Sequence, residues 1–82
     1  MTHHFVIQNM SEDNNLLTIY ALNALTEVIT QPTINVQQNA ETKKWIGSLH
    51  FYSDETIEKI QSILGTNENT KDAQFFIFNI NQ

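Results

Sequence analysis

The sequence is 82 residues long, with nine acidic side chains against four lysines, no arginine, no cysteine and a formal charge of −5. Residues 1–82 read as one domain, near the lower size limit for a core without staples, and disulfides, thiolate zinc sites and cysteine nucleophiles are excluded. The sparse cations disfavour a general nucleic-acid binder, whose affinity rests on neutralising phosphates; with no long apolar run or basic-then-apolar leader, no membrane contact is expected, and a cytoplasmic location is taken as the default.

The hydrophobic period switches several times along the chain. His3 to Met10 alternates around Phe5, Val6 and Ile7 and predicts a first strand. Ser11 followed by Glu12 and Asp13 reads as a helix cap with acids in the first turn, where the helix dipole favours them. From Leu16 to Ile29 the spacing is helical, with Leu17, Ala21, Ala24, Leu25 and Val28 on one face. Gln31 precedes Pro32, which disfavours further helix.

Thr33 to Gln38 alternates again, with a polar face of Thr33, Asn35 and Gln37 suited to a sheet edge. Asn39 to Thr42 has the length of a hairpin connection. Lys43 to Tyr52 predicts a third strand, with Trp45, Gly47, Leu49 and Phe51 on one face and Ile46, Ser48, His50 and Tyr52 on the other. Ser53 is expected to cap a second helix, with Asp54 and Glu55 in its first turn, Ile57, Ile60 and Leu64 inward, a Glu55–Lys59 pair along its surface and Gly65 closing it. Residues 66–71 form a polar loop. Ala73 to Ile80 is the last strand.

The order is β-α-β-β-α-β. It predicts an α+β, ferredoxin-like βαββαβ domain: a four-stranded antiparallel sheet, the first and third strands central, with two helices on one face. Such a scaffold serves many functions, so function has to be argued from the face the helices leave open. With Phe5 and Leu49 toward the helices, that face shows His4, Val6 and Gln8, and Ile46, Ser48, His50 and Tyr52. The last strand is apolar on both sides. Phe76, Phe78 and Ile80 are expected inward, leaving Phe75 and Ile77 to join Val6, Ile46, His50 and Tyr52 in a patch for a partner or for a homodimer made sheet to sheet.

Phe5-Val6-Ile7-Gln8-Asn9-Met10 resembles the first-strand motif of the RNA-recognition-motif family, and Lys44-Trp45-Ile46-Gly47-Ser48-Leu49-His50-Phe51 is similar to its third-strand motif. That family stacks bases on aromatic rings at positions that correspond here to Val6, Ile46 and Ser48, none of them aromatic, and its phosphate-holding basic residue corresponds to Lys44. The resemblance therefore implies the fold and a protein-binding use of the sheet. The stretch from Trp45 to Leu64 and the strand after it are similar to small ferredoxin-like antitoxin and CRISPR-associated nuclease families, which would set a metal-binding acid at the end of the first strand, where Glu12 and Asp13 stand.

His4 and His50 are expected as neighbours on the open face, but no HExxH or other metal spacing accompanies them, and no phosphate-cradling glycine loop or nucleophile elbow is present. No catalytic residue, metal or cofactor is expected, and the chain reads as a non-enzyme. The favoured reading is a small acidic inhibitor of a nucleic-acid-handling or toxin-like protein, of the phage anti-CRISPR, antitoxin or immunity type, acting by steric blocking or by carboxylates standing in for phosphates. Its acidic contacts toward a basic partner would be Glu12 and Asp13, then Asp54, Glu55 and Glu58, then Glu68 and Asp72. The alternatives are a metal-dependent endoribonuclease or RNA-binding antitoxin of the same fold, and a structural homodimer subunit.

Overall fold

A computed structural model describes residues 2–9 and 16–80. The elements follow the order β1 (His3–Asn9), α1 (Leu16–Leu25), β2 (Thr30–Gln38), β3 (Trp45–Ser53), α2 (Ile57–Thr66) and β4 (Phe75–Asn79). All pairings are antiparallel, and the sheet runs β2-β3-β1-β4, with β1 and β3 central. This is an α+β arrangement of two helices and an open four-stranded sheet.

Alternation in the two central strands produces the core. Phe5 and Ile7 of β1 lie opposite Phe51 and Leu49 of β3, and all are buried. Ala21 and Leu25 of α1 and Ile60 and Leu64 of α2 pack on that same side. The shortest extent is 17 Å, a two-layer thickness, and among the described residues no element covers the other side of the sheet.

The chain's polar punctuation shapes the connections. α1 stops at Leu25, short of the expected Ile29, and Val28 N–H closes a turn on the Leu25 carbonyl at 2.9 Å. The β2–β3 hairpin is held by Asn39, whose Oδ1 accepts from the amides of Glu41 at 2.8 Å and Thr42 at 3.1 Å. Lys43 takes a left-handed φ of 65° to complete it.

Ser53 does not cap α2. It ends β3, donating its hydroxyl to the Val28 carbonyl at 2.7 Å and accepting from the Glu55 amide at 3.1 Å. Thr56 is the cap, its side chain accepting from Lys59 N–H at 3.1 Å, so Asp54 and Glu55 precede the helix and Glu58 is its first-turn acid. Gly65 lies inside α2, which runs on to a C-cap at Asn67. The ion pair among the described residues is Lys71–Glu68 at 3.3 Å, not Glu55–Lys59. The expected cap at Ser11, with Glu12 and Asp13, lies outside the described residues.

At Gly47 the Thr18 side chain of α1 comes directly against the sheet backbone. A Cβ there would collide with Thr18 Oγ1, so the absence of a side chain is what lets the helix sit down on β3. That hydroxyl is buried and finds no hydrogen-bond partner among the described residues.

Candidate functional site: the open sheet face and its edges

The pairing registers lay the open face out as rows across the sheet. Thr33, His50, Val6 and Phe78 form one row; Asn35, Ser48, Gln8 and Phe76 form the next. Tyr52 lies opposite His4, which in turn takes the backbone N–H of Ile80 on its carbonyl at 2.8 Å. The face therefore grades from amides and hydroxyls at β2 to large apolar side chains at β4.

Val6, Ile46, His50 and Tyr52 lie on this face as expected. Phe75 and Ile77 do not. They stand opposite Asn9 and Ile7 and pack toward the core, while Phe76 and Phe78 point outward at 51% and 46% exposure, with Ile80 at 46%. The reason is that β4 is apolar on both sides, so its own alternation cannot say which side is buried, and a one-residue change of register against β1 exchanges the faces. Trp45 shares the helix side with Gly47 and Leu49 but lies past the cover of the helices and is 42% exposed.

The histidine pair forms as the strand order demands. His4 and His50 have ring centroids 6.0 Å apart, and His4 stacks on Tyr52 at 4.6 Å with the planes 23° from parallel. No third ligand joins them: among the described residues, no group of three His, Cys, Asp or Glu is placed to hold a metal. Val6, Gln8, Asn35, Gln37, Ser48 and His50 instead border a shallow depression of about 290 Å³ whose polar groups are amides, a hydroxyl and an imidazole. This chemistry suits hydrogen bonding and stacking.

The acids are divided. Asp54 and Glu55 line a cleft at one end of the sheet together with Glu27, and Asp54 Oδ1 accepts from Thr2 Oγ1 at 2.8 Å. Nothing in the sequence singles out Glu27, which falls within the helical spacing expected from Leu16 to Ile29 but lies beyond the observed end of α1 at Leu25. Glu58 follows on α2. Glu68 and Asp72 lie beyond the other end of α2, which spans about 15 Å, and Glu68 is partly offset by Lys71. Glu12 and Asp13 are outside the described residues.

Charge and sheet are segregated. Every described Asp, Glu and Lys lies outside the four strands, in helices, turns and loops. Among the described residues, no helix is long and apolar enough to cross a membrane. No protein-family model matches the chain, and no curated protein or solved structure matches it either.

Proposed function

We propose that this chain is a non-enzymatic protein-interaction domain of ferredoxin-like topology, acting in the cytoplasm as an inhibitor of a nucleic-acid-handling or toxin-like protein. The observation that carries this reading is the segregation of charge: carboxylates gather at Glu27, Asp54, Glu55 and Glu58, while the sheet presents a face without Asp, Glu or Lys and with half-exposed Phe76, Phe78 and Ile80. A basic partner is drawn by the first surface and desolvates against the second. The anti-CRISPR, antitoxin and immunity types named from the sequence all fit this mode of action.

Affinity capture with the combined Glu27→Lys, Asp54→Lys and Glu55→Lys variant tests it. The native chain retains a nucleic-acid-handling or toxin-like protein at low salt and releases it at high salt, and the variant retains none. Capture that is indifferent to salt and to the reversals would sink the acidic mechanism.

A second reading rests on the aromatic side chains of the open face. Tyr52 with His4, and Phe76 with Phe78, are surfaces on which bases could stack, as in a single-stranded RNA binder. The absence of any lysine from the strands weighs against it. Fluorescence anisotropy with labelled RNA, with and without divalent metal, separates the two readings: tight binding or cleavage would favour this one.

A further inference from the structure

We propose that two copies of this chain join edge to edge through β4, antiparallel and centred on Ile77, so that two four-stranded sheets become one continuous sheet. This goes beyond the interaction reading above and does not depend on it, because it rests on the backbone edge of β4 and takes a second copy of the chain as the partner, although Phe76 and Phe78 belong to both surfaces.

The edges of the sheet are not equivalent. β2 carries Pro32, which has no N–H to offer a neighbour, and a left-handed Gln31 with φ 53°. Thr30 pairs with Tyr52 but Thr33 with His50, so β2 holds one extra residue there and bulges. A proline, a bulge and a short length are devices that keep edges from pairing. β4 has only its five-residue length. It reads Phe75-Phe76-Ile77-Phe78-Asn79, without charge, proline or bulge, and among the described strands it pairs only with β1.

Hydrogen-bond phasing sets the register. Ile80 N–H points to β1, where it meets the His4 carbonyl. By strand alternation the backbone groups of Phe78 and Phe76 point to β1 as well, and those of Ile77 and Phe75 point out of the sheet. An antiparallel second copy centred on Ile77 uses all of β4: Ile77 meets its own counterpart in a hydrogen-bonded pair, and Phe75 comes opposite Asn79.

The side chains follow. Phe76 comes opposite the partner's Phe78, and Phe78 opposite the partner's Phe76, in close non-hydrogen-bonded pairs that extend the existing Phe76–Phe78 contact into a cluster of rings. On the helix side, a groove of about 150 Å³ along α2 and β4, bordered by Leu64, Phe75 and Ile77, lies open at this edge, and the partner's Ile77 packs at its mouth. Each chain carries −5, so two copies repel through most of their surfaces. Pairing along a strand with no ionisable side chain brings them together without opposing carboxylates in the paired segment. The contact is self-complementary about a two-fold axis, as a closed dimer requires.

Sedimentation equilibrium of the native chain from micromolar to millimolar concentration should show the mass rising toward twice 9.5 kDa. A mass that stays at the monomer value overturns the proposal. The chain has no cysteine, so a single introduced one reports its own counterpart. Mild oxidation should link Ile77→Cys into a disulfide dimer at least tenfold faster than Gln37→Cys on β2, and equal rates overturn edge pairing. Amide exchange on the native chain covers the case in which the variant fails to fold. Association should slow exchange at Ile77 and Phe75; a dimer that leaves those amides unprotected is joined by another surface, such as the open faces, and the proposal fails.

Discussion

The two edge strands of this sheet solve one problem in opposite ways. β2 is long, polar on its outer positions and broken by a bulge at Gln31 and Pro32. β4 is short, regular and almost wholly apolar. An edge strand offers backbone groups on which another chain can pair, and proteins manage that template with prolines, bulges, charges, short strands or covering segments. Here the spoiled edge is the one whose sequence contains turn and breaker residues, and the intact edge is the one richest in phenylalanine. The contrast teaches that the two edges of one sheet carry opposite chemistry, one marked by a proline and a bulge and the other apolar with neither.

The largest expected effect removes the scaffold that both edges share. Phe51 is fully buried and stacks on Phe5 with ring centroids 5.5 Å apart. Phe51→Ala should cost about 3–5 kcal/mol in chemical denaturation, enough to threaten folding in so small a core. Next is the seat of α1 on the β2–β3 side. Gly47→Ala drives a Cβ into Thr18 Oγ1 and should cost about 1–3 kcal/mol, and adding Thr18→Ala should restore much of the loss because the colliding atom is gone.

The edge contrast itself is probed by exchanging guards. Phe76→Lys places a charge on the unguarded edge without touching the core, and should weaken self-association tenfold or more, about 1.4 kcal/mol, in sedimentation. Conversely, Pro32→Val gives β2 back a backbone donor, and should raise concentration-dependent association measured by light scattering. No change from either substitution would mean that the edges differ in composition but not in behaviour. The smallest effect relieves strain at the bulge: Gln31 holds φ 53°, and Gln31→Gly should stabilise the monomer by about 1 kcal/mol in thermal unfolding while leaving association unchanged.

Much of the fold could be read from period alone. Leu49 and Phe51 alternate with Ser48, His50 and Tyr52, while Phe5 and Ile7 flank the apolar Val6 between His4 and Gln8, so the buried side could be read more directly in β3 than in β1, and the antiparallel pairing of the two then sets His4 beside His50. The polar alternation from Thr33 to Gln37 marked β2 as an edge. The limits of the helices were less legible. Ser53 and Thr56 both offer a capping oxygen, and only the competing bond from Ser53 to the Val28 carbonyl decides that Thr56 caps α2. The acidic cleft was half visible: Asp54 and Glu55 were named, but Glu27 joins them only because α1 ends early and the chain turns back to β2.

What the sequence determined by itself was the order of elements, the buried side of β1 and β3, and the confinement of charge to helices, turns and loops, because these follow from local period and composition. What only the tertiary structure decided was which side of β4 is outward. Alternation relates a residue to its neighbours two positions away, and in a strand apolar on both sides it carries no absolute direction. The pairing of Val6 with Phe78 and Ile7 with Ile77 supplies that direction, and places Phe76 and Phe78 on the surface with Ile77 at the edge.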